Sequence, residues 1–181
     1  MRAVLTLAAL AGALAAAPLR FRLRDAAAAR ARDAAAARHG APPPDLFFAQ
    51  RLDHLSLDEA TEGESLWLQR YWVNATLFEA GGRKGPVFLY LEGEGTGSPY
   101  SVLEGEHVEL AVTHGALIIS LEHRFYGASI PTRDLTTSNL RYLSSDQAIG
   151  DIARFVTMLV PTLGVNLSAS KVVTFGGSCA F

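Results

Sequence analysis

The sequence predicts an α/β fold, a mostly parallel sheet with flanking helices, on three observations. Two short apolar runs, Pro86 to Leu91 and Ala116 to Leu121, have the length and composition of strands buried on both faces. A helical pattern from Ser144 to Val160 comes next, with Ile149, Ile152, Ala153, Val156, Leu159 and Val160 on one side. A third apolar run, Lys171 to Phe175, then leads straight into Gly176-Gly177-Ser178. Buried strands separated by helices require right-handed crossovers, which set neighbouring strands parallel under helices on each face.

The elements are read in chain order. Residues 1–17 have the form of a secretory signal: Arg2 gives the positive start, Val4 to Leu14 is apolar and short, and Ala13 and Ala15 fit a small-x-small cleavage site. Residues 18–44 form a low-complexity leader in which Arg-Asp-Ala-Ala-Ala-Ala-Arg occurs at Arg24–Arg30 and again at Arg32–Arg38. Alanine favours helix but buries little, so this tract is expected to be a transient helix or a disordered leader ended by Pro42-Pro43-Pro44. The domain is expected over residues 45–181. Within it Leu66 to Thr76 reads as an early strand, and Val102 to His114 as a helix weakened by Gly105. Ser144 and Gln147 form a capping-box pair at the start of the later helix, and Pro161 is expected to close it.

Composition removes several function classes. The chain has 16 basic and 18 acidic side chains spread along its length, so it builds no field for nucleic acid or anionic membrane. No membrane association beyond the signal is expected, no cofactor or metal motif is present, and no phosphate loop occurs. The single cysteine, Cys179, excludes an internal disulfide. The sequons Asn74-Ala75-Thr76 and Asn166-Leu167-Ser168 agree with export and mark Asn74 and Asn166 as candidate glycosylation sites.

The chemistry centres on Gly176-x-Ser178-x-Ala180. A serine hydroxyl is a poor nucleophile until it is held near a base and near amides that meet an oxyanion. A tight strand-to-helix turn with small residues on either side achieves both, and this one follows a predicted strand. Ser178 is therefore the candidate nucleophile of an α/β-hydrolase fold. Cys179 is not, because a turn centred on it would put Phe181 where a small residue is needed; its backbone N–H is a candidate oxyanion donor. The second donor is expected from the loop Glu92-Gly93-Glu94-Gly95-Thr96-Gly97, where Gly93, Glu94 and Gly95 are alternatives. His123, in Glu122-His123-Arg124-Phe125-Tyr126-Gly127, precedes the serine, whereas the order in this fold is serine, acid, histidine. Glu122, His123 and Arg124 are expected to form a paired structural or substrate-facing network. No histidine or aspartate follows Ser178, so the chain is expected to be the amino-terminal part of such a fold, truncated at the nucleophile elbow and inactive alone.

Six ordered blocks resemble the S28 family of serine peptidases. They are Phe48-x-Gln50-x-Leu52-Asp53-His54, Gln69 to Asn74, Gly85 to Tyr90, Gly93-Glu94-Gly95, Glu122 to Gly127, and Thr174 to Ser178. The resemblance implies an α/β-hydrolase core with a helical cap, a peptide substrate, and exopeptidase cleavage after proline, of the Pro-X carboxypeptidase or dipeptidyl peptidase type. It also implies secreted or lysosomal placement, with Ser178 matching the nucleophile. Glu92 stands where the family usually has glycine, and Cys179-Ala180-Phe181 replaces its aromatic-glycine-glycine. The elbow alone also allows an esterase or lipase, and a truncated secreted product without catalysis is the alternative of another class.

Overall fold

The computed structural model describes residues 19–56 and 66–177, and the chain divides into two compact units, Met1–Gly40 and Ala41–Phe181. The signal reading of residues 1–17 lies outside the described residues. So do Ser178 and Cys179.

In the first unit the alanine-rich tract is one helix, α1 (Leu19–His39). Alanine's propensity sustains it, and Arg38 and His39 in the last turn complement the negative end of the helix dipole. Gly40 ends it in a left-handed conformation (φ 76°), its N–H donating to the Ala36 carbonyl at 2.9 Å.

The second unit contains, in order, β1 (Leu46–Arg51), β2 (Leu66–Asn74), α2 (Thr76–Ala80), β3 (Val87–Leu91), a 3₁₀ turn (Pro99–Val102), α3 (Glu106–His114), β4 (Leu117–Leu121), α4 (Thr137–Leu140), α5 (Ser145–Arg154) and β5 (Val172–Gly176). The strands form one sheet in the order β1-β2-β4-β3-β5. β2 is antiparallel to both its neighbours, and β3 is parallel to β4 and β5. Only β2 thus runs against the common direction, so the sheet is mostly parallel and the fold is α/β.

Both faces of the sheet are covered, which is why β3 and β4 are continuously apolar. Val87, Leu89, Leu117, Ile119 and Leu121 pack on one side with Phe155, Val160 and Val165. Phe88 and Ile118 pack on the other with Trp72, Val102 and Ala111. Phe155 anchors the first core, edge-on to Phe48 at 5.5 Å and to Tyr71 at 5.2 Å between ring centres.

Four sequence readings shift. The helix expected from Val102 begins at Glu106, because Gly105 at its N-cap has φ 110°, and Pro99–Val102 is a separate 3₁₀ turn. The chain does not leave helical geometry at Pro161. Instead α5 passes through a π-helical turn (Phe155–Leu159) and a 3₁₀ turn (Val160–Leu163), in which proline needs no intrahelical N–H partner, and Gly164 (φ 82°) ends it. Ser144 does cap α5, its Oγ accepting the Gln147 N–H at 3.3 Å, but the Gln147 side chain turns away to Asp53 and to the His54 N–H. On the helix itself Ile152, Val156, Leu159 and Val160 meet the core, whereas Ile149 is 63% exposed and Ala153 is exposed. Its buried residues are Gln147, Asp151, Phe155 and Val160, the first three spaced four apart.

Replacing Phe155 by alanine empties the contact point of β1, β2 and α5. The expected loss of unfolding free energy is about 3–5 kcal/mol. It is read from the urea midpoint at constant slope, and a shift below about 1 kcal/mol would contradict this anchoring role.

Candidate active site

Parallel pairing brings the carboxyl ends of three strands to one edge: Leu91 is level with Leu121 of β4 and with Gly176 of β5. Loops leaving that edge are the Glu92–Gly97 segment, the His123–Ser129 segment and Gly177. Ligands gather at such an edge because strands there open into loops that supply polar groups. A cavity of about 310 Å³ sits beside it, walled by Leu91, Glu92, His123, Tyr126, Ile149 and Ile152 among others. The exposed Ile149 of the helix is accounted for as cavity wall.

The glycine-rich loop is tied at both ends. At its entry the Glu92 N–H donates to Leu121 O at 3.0 Å, and at its exit the Gly97 N–H donates to Glu122 Oε1 at 2.9 Å. Between them the Gly95 N–H donates to Gly93 O at 2.9 Å, so that amide is engaged inside the loop. Gly93 lies beside Gly177: a Cβ built on it would stand 3.6 Å from the Gly177 carbonyl oxygen. Of the three candidate donors, Gly93 is thus placed next to the residue preceding Ser178.

The Glu122-His123-Arg124 segment is the network expected of it. Glu122, wholly buried, accepts from Arg70 Nη2 at 2.7 Å and Arg70 Nε at 3.2 Å, and also from the Ala128 N–H and Ser129 Oγ. Arg70 in turn donates to Asp45 and lies over the Trp72 ring at 4.9 Å. Burial disfavours its charge, but the hydrogen bonds to Glu122 and Asp45 outweigh that and raise its pKa. Arg124, also wholly buried, holds Asp151 through Nε and Nη2, each at 2.7 Å, and donates to the carbonyls of Arg51, Leu52 and Tyr142. His123 Nδ1 donates to the Arg124 carbonyl at 2.8 Å, with its ring edge-on to Tyr126. The ring is oriented as a cavity wall.

Three further histidines of the second unit stand in structural contacts. His54 Nε2 lies 2.8 Å from Asp151 Oδ1, His107 Nε2 is 2.6 Å from Ser101 O while its ring stacks on Tyr90, and the His114 ring meets Phe88. Burial, and after it the Glu92 charge, pushes the Tyr90 phenol up. Among the described residues there is no group of three His, Cys, Asp or Glu side chains able to hold a metal ion, and no helix long and apolar enough to cross a membrane. The two sequons differ. Asn74, half-buried, donates Nδ2 to Val102 O at 3.0 Å, whereas Asn166 is exposed with Oδ1 accepting the Ser168 N–H.

Sequence reasoning missed Arg70, Gln69, Gln147 and Asp151 as site-supporting residues. Asp151 lay inside a helix read for its apolar face, and nothing local marks it as Arg124's partner 27 residues away.

Residues 50–180 match the serine carboxypeptidase S28 family. The chain belongs to that family. The S28 chain is 43% identical over 141 residues to the thymus-specific serine protease of Mus musculus, which covers 78% of this chain and 26% of that protein. It is 46% identical over 114 residues to the Homo sapiens protein of the same name, covering 63% and 22%. A "Probable extracellular serine carboxypeptidase" of Arthroderma benhamiae is 36% identical over 89 residues, covering 48% and 12%. The S28 chain therefore spans about a quarter of the length of the first two relatives.

Two measurements test the polar edge of this S28 chain. Arg124→Leu leaves Asp151 buried without its cation, and the expected destabilisation is about 3–5 kcal/mol in urea unfolding, well beyond a surface arginine such as Arg133. Asp53 supplies a pH dependence: burial raises its pKa, but the Gln147 side chain, the Leu55 and Ser56 amides and the Arg141 charge together hold it below the usual carboxylate range. A depressed pKa adds stability above the unfolded value, about 3.9, that is lost as pH falls through the folded value. The stability gap between wild type and Asp53→Asn should therefore be level near pH 6 and close below about pH 4. A gap that widens on acidification would reverse the assignment.

Proposed function

We propose that the whole protein is a secretory-pathway serine exopeptidase that cleaves peptides after proline, with Ser178 as nucleophile. The observation that carries this reading is Gly93 set against Gly177 at the shared carboxyl edge of β3 and β5, beside the cavity. Ser178 directly follows Gly177 in the sequence, and the Gly93 loop is the one from which this reading draws an oxyanion donor. In the proposed reaction Ser178 Oγ attacks the scissile carbonyl, a histidine base takes its proton, and the carbonyl oxygen is met by the Cys179 N–H and an N–H of the Gly93–Gly95 loop. The histidine then returns the proton to the departing amine, and water releases the acyl group by the same route. The order serine, acid, histidine puts acid and base carboxyl-terminal to Ser178 in the whole protein. His123 is not used, since it precedes Ser178 in the chain, against the order serine, acid, histidine. Family membership supports a peptide substrate, and the proline preference rests on resemblance to the family.

Export and glycosylation belong to the same reading, with a signal in residues 1–17 and Asn166 as the more accessible acceptor. Asn74 and Asn166 both lie away from the catalytic edge: Asn74 ends antiparallel β2 level with Ile118, and Asn166 precedes β5. A glycan at Asn166 leaves the cavity open.

A fluorophosphonate probe should label the natural full-length protein stoichiometrically and leave Ser178→Ala unlabelled. Proline-containing peptides should turn over faster than fatty-acyl esters, and the opposite order would favour an esterase. Glycopeptide mapping of the secreted protein should find Asn166 occupied, with the glycosidase-sensitive mass shift falling in Asn166→Gln.

A further inference from the structure

Glu122 holds two loops at once. Its carboxylate receives five donors: Arg70 Nη2 and the Gly97 N–H on Oε1, and Arg70 Nε, the Ala128 N–H and Ser129 Oγ on Oε2. A carboxylate has roughly four lone-pair directions, so this one is saturated and its position is dictated from several sides. Its backbone is fixed as well, the Glu122 N–H donating to Arg70 O at 3.0 Å and its carbonyl accepting from Gln69 Nε2 at 2.9 Å. The packing around it allows no slack. A Cβ at Gly127, where φ is 55°, would fall 1.9 Å from Oε1, and a Cβ at Gly97 would fall 2.9 Å from the Trp72 ring.

One of these bonds has a reach beyond stability. Gly97 is the exit of the loop whose entry side, at Gly93, lies against Gly177, and the loop's internal Gly95–Gly93 bond makes it a short closed bend. Shifting Gly97 therefore shifts the amides at Gly93 and Glu94. The bond on Oε2 meanwhile holds the Ala128–Ser129 end of the loop that carries His123 and Tyr126 to the cavity wall.

We propose that Glu122 is the positioning residue of the oxyanion loop: its buried carboxylate, through the Gly97 N–H, sets where the Gly93–Glu94 amides stand relative to Ser178. The proposal rests on the serine-nucleophile reading above. Replacing the carboxylate by an amide keeps the size but turns an NH₂ group toward N–H donors on one side or the other. Three donors meet Oε2 and two meet Oε1, so the amide oxygen takes the Oε2 place and keeps the cavity-wall loop, while the NH₂ group takes the Oε1 place and the Gly97 end of the oxyanion loop loses its acceptor.

The experiment compares Glu122→Gln with wild type in the natural full-length protein, normalised to folded molecules. The expected result is a kcat lower by about 10- to 100-fold, part of the loss seen when an oxyanion donor is removed outright, with KM within about threefold. The rate of fluorophosphonate labelling at Ser178 should fall in parallel, because phosphonylation builds charge on the same oxygen. Val165→Ala, in the core at the opposite end of the sheet, controls for lowered stability and should keep both rates. Should Glu122→Gln not fold, Arg70→Lys, which keeps the charge but loses the paired hydrogen bonds, is expected to give a smaller drop of the same kind. A Glu122→Gln protein with lowered Tm but wild-type kcat and labelling rate would overturn the proposal, as would equal kcat losses in Val165→Ala. An active Ser178→Ala would instead sink the nucleophile reading, so the two failures are distinguishable.

Discussion

The edge of this sheet is organised by a buried ion pair, Arg124 with Asp151. Both groups are buried, and desolvating an ion costs several kcal/mol unless geometry and further hydrogen bonds repay it. The structure meets that condition from three directions: α5 supplies Asp151, the end of β1 and the residue after it supply the Arg51 and Leu52 carbonyls, and the chain ahead of α5 supplies the Tyr142 carbonyl. Because the guanidinium is planar and its donors are fixed in a fork, these partners must arrive together in one geometry. The pair is therefore better understood as specifying one arrangement than as adding net stability, and the cavity wall inherits that arrangement through Ile149 and Ile152 on the same helix.

The consequences spread to residues that would otherwise look arbitrary. Asp151 Oδ1 also faces His54, and the His54 ring lies so close to α5 that a Cβ at Gly150 would fall 2.4 Å from its Cγ. A glycine within a helix costs about 1 kcal/mol against alanine, and here the ring's approach is what requires it. Gln50 extends the pattern across the sheet, donating to the Asp151 carbonyl and to Gln69, which donates to the Glu122 carbonyl. One polar chain thus joins the Arg124–Asp151 pair to the Arg70–Glu122 pair beneath the cavity.

This division between polar edge and apolar core also explains what was legible in the sequence. β3 and β4 were readable because both faces of the sheet are covered there and a continuous run of Val, Leu, Ile and Phe has few other uses, and β5 because its Val-Val-Thr-Phe run is β-branched and aromatic, although Val173 and Thr174 are exposed at the sheet edge. β1 was not read as a strand, since its most buried residue is Gln50 and Phe47 is 46% exposed, which defeats alternation. The α5 face was read only in part for the same reason: Gln147 and Asp151 take buried positions because partners 27 to 97 residues upstream satisfy them. Long-range polar pairing leaves no local period. The Glu122-His123-Arg124 network was legible as a motif, but the identity of its partners was not.

Glu92 shows how the loop tolerates a departure from its family. The resemblance to the family puts glycine there, and a carboxylate beside the proposed oxyanion site is electrostatically awkward. The structure ties this side chain into the loop's own frame: Glu92 Oε1 accepts from the buried Ser120 Oγ at 2.7 Å and from the Ser98 N–H at 3.4 Å. Hydrogen bonds from a hydroxyl and an amide draw the negative charge onto β4 and the loop's exit. Its Cγ meanwhile marks the boundary at Gly97, where an added Cβ would lie 3.2 Å away. The same substitution that adds a charge thus adds a brace, so that the bend is fixed by Glu92 from its entry and by Glu122 from its exit. Gly93 and Glu94 are left between two carboxylates that each hold a backbone amide of the exit, which is a firmer frame than glycine at position 92 could make.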